Sequence, residues 1–127
     1  MIYKVIINTD IIDSPKNHEI KAAMIVANKY FKSDVIFLRQ ETYSTPDISV
    51  DGKKWEIKSP LGNGKKTIDN NLRSARKQSV NIILDLTRIK LHQTRAIARL
   101  KYYLKLGPHG FKKVIVISKT KEVIEIL

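Results

Sequence analysis

Two carboxylates and a lysine stand at a spacing that would bring them together. They are Asp47, Glu56 and Lys58, within TPDISVDGKKWEIKSP at residues 45–60. Asp51-Gly52 separates two alternating runs, Thr45–Val50 and Lys53–Ser59. Asp-Gly between such runs is a strong hairpin signal, because a type I′ turn needs positive φ at both central positions. A turn there pairs Val50 with Lys53, Ser49 with Lys54, Ile48 with Trp55 and Asp47 with Glu56. Side chains alternate along a strand. One face then carries Ile48, Val50, Trp55 and Ile57, and the other carries Thr45, Asp47, Ser49, Lys54, Glu56 and Lys58. Like charges facing each other across a strand pair destabilise it. A hard divalent cation such as Mg²⁺ or Mn²⁺ would neutralise both acids. Lys58 would then sit beside an attacking water or a developing phosphate charge. The other reading is a solvated hairpin face on which Lys54 and Lys58 screen the acids.

The elements that must position this hairpin follow from the apolar pattern. Ile2–Asn8 reads as a strand, and Ser14-Pro15 as the cap and first residue of a helix running to about Phe31. Ala22, Ala23, Val26 and Tyr30 form its apolar stripe. Glu19 lies on that stripe, either pointing at a partner near the core or complementing the helix dipole in the first turn. Asp34–Arg39 contains a buried strand, Gln40–Ser44 a polar connection and Pro60–Gly64 a flexible turn. Thr67 would cap a helix from Ile68 to about Gln78, with Arg73, Arg76 and Lys77 on its polar side. Asn81–Leu86 is a continuous apolar run, as in a central strand covered on both faces. Leu91–Leu106 is a second amphipathic helix with Arg95, Arg99 and Lys105 outward, stopped by Gly107-Pro108. Lys113–Ser118 and Glu122–Leu127 form a closing strand pair. The expected architecture is one mixed α/β (α+β) domain over residues 1–127, with a central mixed β-sheet flanked by helices.

Composition narrows the function. With no cysteine, disulfides and thiolate metal sites are excluded. No run approaches the ~18 apolar residues of a membrane span, and Met1-Ile2-Tyr3-Lys4 does not open like a signal peptide. The net charge is +12, and it is unevenly placed. Residues 61–113 hold thirteen Lys/Arg against two acids, Asp69 and Asp85. Such a bias beside the acid pair reads as a phosphate-binding surface. Its candidates are Lys65, Lys66, Thr67, Arg73, Arg76, Lys77, Arg95 and Arg99. Aromatic content of 7% argues against a base-stacking platform.

Pro46-Asp47 followed by Glu56-Ile57-Lys58 resembles the signature of the PD-(D/E)XK nuclease superfamily. The order helix, three strands, helix, strand is similar to that family's αβββαβ core, here with a C-terminal strand pair added. The resemblance implies Mg²⁺ or Mn²⁺ on Asp47 and Glu56, with Glu19 as a third acid, Lys58 assisting the water, and Gln78 as a further catalytic residue. A second resemblance spans roughly residues 17–88. His18-Glu19, PDISVDGKKWEIKSP, Arg76-Lys77-Gln78-Ser79 and NIILDLTR look like the C-terminal tRNase domains of CdiA-type contact-dependent growth-inhibition toxins. That implies RNA cleavage, an acidic immunity partner, no membrane partner, and action in the cytoplasm of a target cell after delivery within a larger toxin. Some toxin tRNases are metal-free, which would shift the chemistry to Lys58, Thr67, Arg73 and His18. The alternatives are a metal-dependent DNA endonuclease and a non-catalytic nucleic-acid-binding module.

Overall fold

Asp51 and Gly52 take φ values of 50° and 82°, the two positive values a type I′ turn requires. The register is the expected one: Val50 opposes Lys53, Ser49 opposes Lys54 and Ile48 opposes Trp55. The computed structural model describes residues 2–7, 14–42 and 45–127. Among them seven strands form one sheet in sequential order. They are β1 (Val5–Ile7), β2 (Val35–Phe37), β3 (Ile48–Val50), β4 (Lys53–Lys58), β5 (Asn81–Asp85), β6 (Lys113–Ile117) and β7 (Val123–Glu125). β1, β2, β4, β5 and β6 run one way, while β3 and β7 run antiparallel to their neighbours. The helices are α1 (Asn17–Val26), α2 (Lys65–Arg76) and α3 (Gln93–Leu106). The order α1-β2-β3-β4-α2-β5 is the αβββαβ sequence of elements, and β6–β7 is the closing pair.

Side-chain alternation divides the core in two. Val35, Phe37, Ile48, Val50, Trp55, Ile57 and Ile83 meet Ala22, Ala23 and Val26 of α1 on one face. Ile82, Leu84, Val114 and Val116 meet Ile68, Leu72 and Ala75 of α2 and Ala96 and Leu100 of α3 on the other. β5 is buried on both faces, as its unbroken apolar run requires. Each fully buried Leu or Ile contributes about 1.5–3 kcal/mol. No helix among the described residues is long and apolar enough to cross a membrane.

Several boundaries differ from the sequence reading. The first strand is shorter than Ile2–Asn8, and Asn8 lies outside the described residues. α1 starts at Asn17 rather than Pro15, because the Lys16 carbonyl accepts the first N–H groups, from Glu19 at 3.0 Å and Ile20 at 3.1 Å. Its end comes where expected, through a π-helical turn over Ala27–Phe31 closed by Lys32 at φ 53°. Thr67 does not cap α2. The helix starts three residues before Ile68, with Gly64 at the cap and its carbonyl accepting Thr67 N–H at 3.2 Å. The Pro60–Gly64 turn is anchored rather than loose. The Gly62 carbonyl accepts N–H from Lys90 and Leu91, and a Cβ on Gly62 would stand 2.5 Å from Thr67 Oγ1.

Arg99 does not point freely outward. Its Nε and Nη2 donate to the two oxygens of Asp69 at 2.9 and 2.6 Å, bidentately joining α3 to α2. These bonds hold the Asp69 carboxyl below the usual range. Asp69→Ala should lower the melting temperature, because the half-exposed Arg99 loses both of its acceptors and the link between α3 and α2 is broken. Thermal melting of the two single variants and the Asp69→Ala/Arg99→Ala double variant checks this. Additive losses would show that the two groups do not interact.

Candidate active site

The acid pair lies one residue beyond Ile48 and Trp55, where the hairpin ladder ends and the Asp47 side chain takes over the Ile57 N–H. Asp47 is fixed from three directions. Its Oδ2 accepts Ile57 N–H at 2.9 Å, and its carbonyl accepts Leu38 N–H at 2.9 Å. Gln40 Nε2 donates to the carbonyls of Leu38 at 3.3 Å and Pro46 at 3.2 Å, bracing the segment that delivers Asp47. Glu56 alternates with the core residues Trp55 and Ile57 and is itself only 2% exposed. Its Oε2 lies 3.4 Å from Lys58 Nζ, while Oε1 is buried with no hydrogen-bond donor.

Burial and the neighbouring Asp47 charge push the Glu56 carboxyl up to about 8, although Lys58 opposes this. Asp47 is also raised by burial, less so because Ile57 N–H and Glu56 stabilise its charge. Burial and each other's charge thus make both carboxyls weaker acids than usual, Glu56 the more so. Glu19, from the first turn of α1, adds a further negative charge that Asp47 feels. Glu19 Oε1 accepts Lys16 N–H at 2.9 Å, so this residue also caps its helix. A cavity of about 100 Å³ opens between Glu19, Phe37, Leu38, Gln40 and Asp47. Among the described residues no group of three or more Asp, Glu or His side chains is arranged to hold a metal ion.

The structure thus brings Asp47, Glu56, Lys58 and Glu19 into one electrostatic group. Gln78 follows α2, half-buried, with its N–H on the Ala75 carbonyl at 2.9 Å. The basic candidates separate. Lys65 and Lys66 sit in the first turn of α2, with Thr67 half-buried behind them. Arg95 and Lys65 share a cavity of about 440 Å³ with Arg99 and Tyr102, and Arg99 lies 5.0 Å over the Tyr102 ring. Arg73, Arg76 and Lys77 lie at the other end of α2, where Ser79 Oγ bonds the Lys54 carbonyl at 3.1 Å. Gln40 was not singled out by sequence; a glutamine in a polar connection gives no signal until its carbonyl partners are known.

The fold and the site define a single α/β domain whose sheet carries a buried Glu56, a half-buried Asp47 and a lysine on its central hairpin. The family model for the contact-dependent growth inhibition CdiA C-terminal domain matches residues 44–123. The chain belongs to that family. A solved CdiA-CT/CdiI toxin and immunity complex from Burkholderia pseudomallei contains a similar fold, with a TM-score of 0.64 at 23% identity over 86% of this chain and 81% of that one. No curated protein sequence matches the chain.

Proposed function

We propose that this domain is a nuclease toxin, an endoribonuclease that cleaves tRNA. One observation carries the reading: a buried Glu56 carboxyl beside the half-buried Asp47, with Lys58 next to it, in a chain of the CdiA C-terminal domain family. Uncompensated carboxylates are costly unless a proton or cation neutralises them. The donorless Glu56 Oε1, on a carboxyl that feels the Asp47 charge, suits a cation. Asp47 and Glu56 would hold Mg²⁺ or Mn²⁺, and Glu19 would have to leave its capping bond to Lys16 N–H to join them. When bound, the ion supplies Lewis-acid stabilisation of phosphate charge. Lys58 Nζ, held by Glu56, orients the attacking water and adds positive charge at the phosphate. Gln78 would assist at the same site, and the basic residues Lys65, Lys66 and Arg95 would bind the substrate backbone.

A second reading, metal-free cleavage through the RNA 2′-hydroxyl, is favoured by the capping bond that occupies Glu19. It would shift the chemistry to Lys58, Thr67 and His18. Incubation with tRNA and with duplex DNA, in EDTA and in Mg²⁺, separates these readings. tRNA cleavage that EDTA stops and Mg²⁺ restores is the expected result. Full activity in EDTA with a 2′,3′-cyclic phosphate end identifies the metal-free route. Cleavage of DNA alone identifies a DNA endonuclease, and binding without cleavage a non-catalytic module. The basic surface would meet an acidic immunity protein in the producing cell, and delivery would be as part of a larger toxin.

A further inference from the structure

A cavity of about 660 Å³ lies between α1 and the β5–α3 loop, apart from the acid pair. We infer that this groove is the subsite that seats the nucleotide backbone flanking the cleaved bond; the inference rests on the nuclease reading. The volume falls within the range of about 300–1,000 Å³ typical of small-molecule sites, room for a nucleotide rather than a lone ion. Lys21, Arg88 and Lys121 bring positive charge to its walls, which His18 also lines. Ala22, Ile25 and the half-exposed Met24 supply an apolar surface. Cations around an apolar surface match a nucleotide, which joins an anionic phosphate to a flat base.

The one acid lining the groove, Asp85, is buried and turned to neutral donors of the fold, and it leaves an excess of positive charge, three cations against one carboxylate. Asp85 Oδ1 is occupied by Thr87 N–H at 2.9 Å and Thr87 Oγ1 at 2.7 Å, and Oδ2 by Ser59 Oγ at 3.2 Å. The same bonds fix the loop that carries Arg88. Lys121 is equally well placed. It occupies a left-handed position at φ 65°, in a turn closed by Lys121 N–H on the Ser118 carbonyl at 2.9 Å. Lys29 Nζ bonds the Lys121 carbonyl at 2.9 Å, and Lys119 N–H bonds Gln93 Oε1 at 2.6 Å. The cationic side chains of Lys21, Arg88 and Lys121 form no ion pair among the described residues. Continuity with the acid site comes from consecutive residues: His18 lines this groove and Glu19 lines the small cavity at Asp47. The first turn of α1 is the wall between them.

Arg73, Arg76 and Lys77 are displaced from this path. They do not line the groove, and their end of α2 lies beside Lys54. The test uses the full chain carrying Glu56→Gln, so that binding is read without cleavage. Affinity for a labelled tRNA and a short labelled single-stranded RNA is measured across a salt series, with melting curves confirming the fold. Adding Lys21→Ala/Arg88→Ala/Lys121→Ala should weaken binding at least about tenfold and flatten the log–log salt slope by about 2, for three lost phosphate contacts. A flattening from Arg73→Ala/Arg76→Ala/Lys77→Ala larger than that from the groove triple overturns the inference. A groove triple variant that binds like its parent overturns the inference and leaves the nuclease reading intact. A parent that binds no nucleic acid overturns the nuclease reading, and the groove assignment falls with it.

Discussion

Glu56→Gln is expected to raise the melting temperature and to lower phosphodiester cleavage by about a thousandfold or more. The amide keeps the size of the side chain and removes its charge. In the wild-type chain the Glu56 carboxyl is buried beside Asp47, has one oxygen without a donor, and becomes charged there as pH rises through about 8. Relief of the repulsion should stabilise the hairpin at pH 8 by several degrees. The reaction meanwhile loses a carboxylate that would hold the cation and keep Lys58 in place. Melting curves and an RNA cleavage assay on the same preparation read both effects. Such a trade of stability for activity is usual at functional sites. Retained cleavage with the same stabilisation would reduce the acids to structural neighbours, and the site would have to be sought elsewhere.

The second large effect is on pH dependence. The Glu56 carboxyl titrates near 8 in the fold, against an ordinary value of 4.5. A proton is therefore held more tightly by the folded chain than by the unfolded one. Its contribution is fully present below 4.5 and is lost as pH rises through 8. Within that window each pH unit costs up to about 1.4 kcal/mol. In EDTA, thermal stability should fall from pH 5 to pH 8.5, and Glu56→Gln should flatten the fall. If the pair binds a cation, Mg²⁺ should restore stability at pH 8.5 far more than at pH 5, where the proton competes for the same oxygens. Parallel curves for wild type and variant would show that Glu56 does not hold this proton.

The hairpin and its acids were legible in the sequence because their cause is local. Asp-Gly dictates the turn, and strict alternation then fixes which side chains share a face. The order of elements was legible for the same reason, since each amphipathic run announces its own period. What was not legible depends on residues distant in sequence. The Asp69–Arg99 pair joins two helices, so Arg99 read as one more outward cation. The start of α2 was misread because Gly64, with no side chain to cap with, takes the cap position. The basic segment read as one surface, yet its charges fall at both ends of α2. The groove combines residues 17–25, 85–88 and 121, which no linear pattern connects. Lys21 and Lys121 lie outside the basic segment altogether.

The hairpin has a further consequence, for the order in which the molecule assembles. A β-hairpin closes in about 1–10 μs. The parallel pairings of Val5 with Val35 and of Glu56 with Ile82 must wait for whole helical crossovers. Asp47 and Glu56 therefore meet while the chain is still open to water, before β5 and α2 enclose them. Their mutual repulsion is first met where the surrounding dielectric is high and its cost is small. It grows only as the later strands dry the site, when the long-range contacts that form at the same time can outweigh it.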